Sequence, residues 1–105
     1  MGVIKGVLKE ELENSLRMKS DYEKELAKLP KGSLIKKMIK GREYYYLVLR
    51  ENGKVRFVYK GKVSEEEIEK FREVKEYRAK YRRLLSQVKK QIRFLRSALR
   101  GKESV

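Results

Sequence analysis

The sequence predicts an α+β chain: an antiparallel coiled-coil helical hairpin with a three-stranded antiparallel β-meander inserted between its helices. Three observations lead there. Apolar residues recur at intervals of three and four before residue 30, a hairpin turn divides aromatic-rich stretches in the middle, and a seven-residue repeat follows residue 63. With 105 residues the chain makes a single domain, 1–105, with a limited core. It divides into a helix over 1–29, a basic three-stranded sheet over 30–62, a long heptad helix over 63–100 and a tail over 101–105.

The first helix rests on one stripe, in which Leu8, Leu12, Ser15, Lys19, Tyr22, Leu26 and Leu29 alternate by three and four. Pro30 and Gly32 stop it, because a residue preceding proline is pushed out of the helical region.

The middle changes to strand grammar over 34–39, 43–50 and 54–60, where β-branched and aromatic residues dominate. Asn52-Gly53 is the hairpin signal, since a type I′ turn needs positive φ at both central residues. That turn sets Arg50 opposite Val55, Val48 opposite Phe57 and Tyr46 opposite Tyr59. On the other face it sets Leu49 opposite Arg56, Leu47 opposite Val58 and Tyr45 opposite Lys60. The first face is the more apolar and is expected to be the core side. The register of the earlier hairpin, around Lys40-Gly41-Arg42, is left open.

Ser64-Glu65-Glu66-Glu67 is a capping box with acids at the positive end of a helix. The heptad then places Phe71, Arg78, Leu85, Ile92 and Leu99 at a, and Val74, Tyr81, Val88 and Leu95 at d. At 1.5 Å per residue the helix is roughly 55 Å long. Pairing Leu26 with Ile68 brings Glu13 beside Arg82 and Arg83, Glu10 towards Lys89, and Ser15 and Lys19 near Arg78. In that alignment the first helix runs out before Leu95 and Leu99, so a homodimer through Ile92, Leu95 and Leu99 is expected.

Composition narrows the function. The formal charge of +14 is uneven: residues 1–29 are neutral, whereas 31–62 carry ten Lys and Arg against Glu43 and Glu51. A strongly positive chain calls for an anionic partner. With no Cys or His there is no disulfide, zinc finger, thiol nucleophile or imidazole base. The acids at 10–13 and 65–69 read as helix faces and caps, and the glycines do not form a phosphate-cradling loop. No enzyme, cofactor, metal or small-molecule substrate is therefore expected. No apolar run spans a membrane, and the N-terminus becomes charged too soon for a secretory signal. A cytoplasmic, nucleoid-associated protein is the expectation. Abundant Lys, Glu, Arg, Ile and Val lean towards a thermophile.

The partner expected is nucleic acid, with duplex DNA favoured over RNA. The residues assigned to it are Lys31, Lys36, Lys37, Lys40, Arg42, Tyr45, Lys54, Arg56, Lys60 and Lys62. Three Lys-Gly pairs, at 31–32, 40–41 and 60–61, put a cation beside a glycine that permits close backbone approach. The plainer reading of these lysines is a solvated surface. Among the consecutive tyrosines 44–46 only Tyr45 is expected to expose its ring for stacking, with Tyr46 in the core beside Tyr59. Arg93, Arg96 and Arg100 are a possible second track, although cations also suit a helix C-terminus. Two alternatives stand beside duplex DNA: RNA or ribosome binding, and a coiled-coil interaction module, such as an antitoxin or scaffold, for an acidic partner.

The elements LPKGSL at 29–34, KGREYYYL at 40–47, ENGKV at 51–55 and YKGK at 59–62 resemble a motif of small prokaryotic proteins and some transposase N-termini. The order of three strands then a helix is also similar to the arm-type DNA-binding domain of phage and transposon tyrosine integrases. That resemblance implies a sheet placed in the DNA major groove and a role on mobile-element DNA. It covers about 40 residues of grammar shared by basic hairpins, and recombinase activity is not carried over.

Overall fold

The structure is a computed structural model that describes residues 2–103. In chain order the elements are α1 (Gly2–Lys28), β1 (Ser33–Ile39), β2 (Arg42–Glu51), β3 (Lys54–Gly61) and α2 (Glu65–Glu103). The architecture is α+β, two long helices packed together with a three-stranded antiparallel meander, in the order β1-β2-β3, between them in sequence. Of the expected tail, 101–103 continue α2, and Ser104 and Val105 lie outside the described residues. The chain forms two compact units. One combines α1 with α2 from Ala79 onward; the other is the sheet with its flanking segments, residues 29–78.

In the helical unit, apolar periodicity becomes burial. Among the described residues, Val88, Ile92, Leu95 and Leu99 are the buried hydrophobic ones, at 2, 5, 5 and 7% exposure. Each contributes about 1.5–3 kcal/mol on burial. Ser15 is the one fully buried side chain among the described residues, at 1%, and a small side chain there lets two helices approach closely. The Tyr22 and Tyr81 rings meet at 6.1 Å. Counting seven residues back from Tyr22 and forward from Tyr81 puts Ser15 level with Val88.

This corrects two expectations. The pairing of Leu26 with Ile68 would have set Tyr22 level with Arg72, nine residues short of the observed Tyr81. The difference goes with the division of α2: residues 65–78 belong to the sheet unit, and α2 contributes to the helical unit from Ala79. The Glu13–Arg82/Arg83 and Glu10–Lys89 pairs are accordingly not among the ion pairs of the described residues. Ile92, Leu95 and Leu99 are covered within the chain, contrary to the expectation that they lack intrachain cover. Ser15→Leu is expected to overpack this contact and cost about 1–3 kcal/mol, read as a lower urea midpoint with an unchanged m-value.

In the sheet unit, both hairpins close with two-residue turns of positive φ, Lys40-Gly41 at 51° and 79° and Asn52-Gly53 at 51° and 76°. The first turn pairs Ile39 with Arg42 and settles the register that the sequence left open. The second hairpin pairs Arg50 with Val55, Leu49 with Arg56, Val48 with Phe57, Leu47 with Val58 and Tyr46 with Tyr59, as expected. Beyond Tyr46 the expected register fails: Tyr45 pairs with Gly61 rather than Lys60, because β3 holds one extra residue there. Gly61 takes φ 72°, the left-handed backbone that such a bulge uses. At the start of α2 the Ser64 hydroxyl accepts the Glu67 N–H at 3.2 Å, the expected N-cap. The Arg78 guanidinium donates to the Pro30 carbonyl at 2.7 Å, which explains a charged residue in a heptad a position.

The two sheet faces follow from the register, and the expected core face is only partly covered: Ile35, Tyr44, Tyr46 and Val48 on it are half-buried, but its β3 residues are exposed. Phe57 and Tyr59, with Val55, are 55, 58 and 50% exposed, whereas Val58 on the opposite face is half-buried. The covered face is that of Leu34, Tyr45, Leu47, Leu49 and Val58. Its cover comes from close by. A Cβ at Gly32 would lie 2.9 Å from both Leu47 Cδ1 and Leu49 Cδ2, so the strand entering β1 crosses directly against these leucines. Leu34 shares a cleft with Ile68 and Phe71 of α2, and Tyr45 shares another with Val63 and Ile68.

Candidate nucleic-acid interface

The open face is built by alternation along three strands. It carries Ile35, Lys37 and Ile39 from β1; Arg42, Tyr44, Tyr46, Val48 and Arg50 from β2; and Val55, Phe57 and Tyr59 from β3. Its rings form one cluster. Tyr59 lies 6.2 Å from Tyr44 and 5.3 Å edge-on from Tyr46, centroid to centroid. The Lys37 ammonium sits 5.0 Å from the Tyr46 centroid and 5.5 Å from that of Phe57, within the range of a cation–π contact.

The acids of the sheet are absent from this face. Glu43 and Glu51 both belong to the opposite face, where Glu43 pairs with Lys36 at 3.3 Å and Glu51 with Arg56 at 3.6 Å. Both pairs are solvent-exposed and contribute little to stability, but they offset two of the cations assigned to the ligand. By register, Arg42, Lys37 and Arg50 share their face with no carboxylate, although Arg42, at the strand end, also lines a cleft with Glu43 and Glu65. Arg42 stands at the Lys40-Gly41 end and Arg50 at the Asn52-Gly53 end. Eight residues of antiparallel strand separate them by about 27 Å.

The sequence-assigned residues therefore divide. Lys37 and Arg42 lie on the open face, Lys40 sits in the β1–β2 turn, and Lys54 opens β3. Lys31 precedes β1, Lys62 follows β3, and Lys60 is the residue at the bulge. Lys36 and Arg56 lie on the covered face, each held by an acid. Tyr45 is half-buried there, as Tyr44 and Tyr46 are on the open face, so it is not the exposed ring that was expected; the exposed rings are Phe57 and Tyr59. Arg93, Arg96 and Arg100 are exposed on the part of α2 in the helical unit.

Two of the three Lys-Gly pairs also have another explanation. Gly32, at φ 99°, is needed for its contact with the leucines, and Gly61 is buried with the Tyr59 hydroxyl 3.4 Å from its would-be Cβ. Only Gly41 of the three opens on free space. Lys40 holds left-handed backbone, costly for a residue with a Cβ. Lys40→Asn is expected to raise stability by about 0.5 kcal/mol, since Asn suits that turn position, while weakening any ligand that Lys40 contacts. A denaturation midpoint and a binding isotherm on the same variant separate the two effects.

Arg50, Tyr44, Tyr46, Phe57 and Tyr59 are the residues of this face that sequence reasoning left out, because it placed them in the core. A signal was present. The hairpin register puts Glu43 and Glu51 on one face, leaving the other with cations and rings alone.

Among the described residues no cluster of acids could hold a metal ion, and no helix is long and apolar enough to cross a membrane. Residues 9–70 match the family described as Domain of unknown function (DUF6788), a span that takes in most of α1, the whole sheet and the start of α2. More than half of the chain is matched, and the chain belongs to that family. No curated protein matches it. No solved structure does either.

Proposed function

We propose that this member of the DUF6788 family is a non-catalytic nucleic-acid-binding protein whose contact surface is the open face of its sheet. One observation carries the reading: three cations and four aromatic rings share a face from which both acids of the sheet are absent. Lys37, Arg42 and Arg50 would neutralise phosphates along β2, with Lys40 and Lys54 reaching further ones from the two turns. Binding would then draw on counterion release, the sequence-independent part of nucleic-acid affinity. The net charge of +14 supplies long-range attraction towards any polyanion.

The test is a salt series. Five phosphate contacts give a log–log slope of affinity against salt near −4.5 for duplex and near −3.5 for single strands, taking about 0.9 and 0.7 per contact. A flat response between low and physiological ionic strength, or no binding to any nucleic acid, refutes the proposal.

A further inference from the structure

We infer that the open face of the sheet takes single-stranded nucleic acid, its bases stacked on Phe57, Tyr59, Tyr44 and Tyr46 and its phosphates held by Arg42 and Arg50. This rests on the proposed function and names the form of nucleic acid that the same site selects. The argument begins with what the face exposes. Phe57 and Tyr59 are more than half exposed, although the register places them on the more apolar face of the sheet. Leaving such rings in water forgoes burial that the folded chain could have used.

A duplex offers these rings little in return. Its base planes are occupied by their neighbours, and its outer surface is charged phosphate and sugar. An unpaired strand presents free π-faces, and stacking on aromatic side chains is how sequence-tolerant single-strand binders gain affinity. The geometry suits that exchange. Phe57 and Tyr59 are two residues apart on β3, so their side chains rise from the same face about 6.7 Å apart, comparable with the reach of one stretched nucleotide. Tyr46 and Tyr44 widen the platform across the strand pair through their contacts with Tyr59.

Charge complementarity names the occupant as a polyanion and not an apolar peptide or a second copy of this +14 chain. Arg42 and Arg50 close the two ends of the ring cluster, and no carboxylate on that face repels a backbone running between them. Lys37, already over Tyr46 and Phe57, can trade those rings for a phosphate when bases displace it.

The experiment measures binding of the full chain to oligothymidylate, oligouridylate and a blunt duplex of equal length. The chain contains seven Tyr and no Trp, so intrinsic tyrosine fluorescence reports stacking directly. Single strands are expected to bind more tightly than the duplex and to quench that fluorescence. Phe57→Leu with Tyr59→Leu keeps apolar bulk at two exposed positions but removes the rings; it is expected to weaken single-strand binding about ten-fold or more. Tyr59→Phe keeps the ring and is expected to bind like the parent. Thymidylate against uridylate tells DNA from RNA as the source of the strand. Tighter binding to duplex, or full single-strand affinity in the leucine double variant, overturns the inference and leaves the proposed function standing. Failure of every polymer to bind overturns both.

Discussion

Gly32→Ala is expected to cost about 2–4 kcal/mol, enough to lower the thermal midpoint by roughly 10 °C or more. Two penalties combine. Gly32 has φ 99°, where a side chain costs about 1–2 kcal/mol of backbone strain. The added methyl would also start 2.9 Å from Leu47 Cδ1 and Leu49 Cδ2 and 3.1 Å from the Val48 carbonyl oxygen. Overpacking of that kind costs about 1–3 kcal/mol, and the backbone carbonyl cannot swing aside as a side chain can. Gly41→Ala is the matched control: it also has positive φ, but nothing lies within 4 Å of its would-be Cβ. It should lose only the strain. Equal losses for the two variants would mean that the strand entering β1 does not press on the leucines.

Arg42→Glu with Arg50→Glu is expected to reduce nucleic-acid affinity by at least a hundred-fold at moderate salt. It removes two of five phosphate contacts, so the magnitude of the duplex salt slope falls by about 1.8, and it places two carboxylates on a face that has none. The informative comparison is Lys36→Glu with Arg56→Glu. The same change in net charge there falls on the covered face, beside Glu43 and Glu51. Long-range attraction weakens equally in both variants, so the difference between them isolates contact from overall field. If the two double variants bind alike, the positive charge acts as a diffuse attraction and the open face has no special part in it.

Much of this molecule is legible in its amino-acid sequence. The order of elements, the Asn52-Gly53 hairpin and the Ser64 cap follow from local chemistry that needs no tertiary partner. All seven stripe positions from Leu8 to Leu29 are buried or half-buried, and so are all the heptad positions from Phe71 to Leu99. Periodicity reports which face of a helix seeks cover, and in both helices it did so correctly.

What local pattern does not contain is which cover each face receives. In the helical unit Tyr22 meets Tyr81, Leu95 and Leu99 are inside, and residues 65–78 of α2 belong instead to the sheet unit. The choice of sheet face went against the apolar count. Gly32 and the start of α2 lie on the leucine side, leaving Phe57 and Tyr59 exposed with Lys37 and the half-buried Tyr44 and Tyr46 beside them. The amino-acid order determined which residues share a helix stripe or a sheet face, because that follows from backbone geometry within an element. Only the tertiary structure decided which of those surfaces met another and which met water, because burial depends on what distant chain arrives to exclude the solvent.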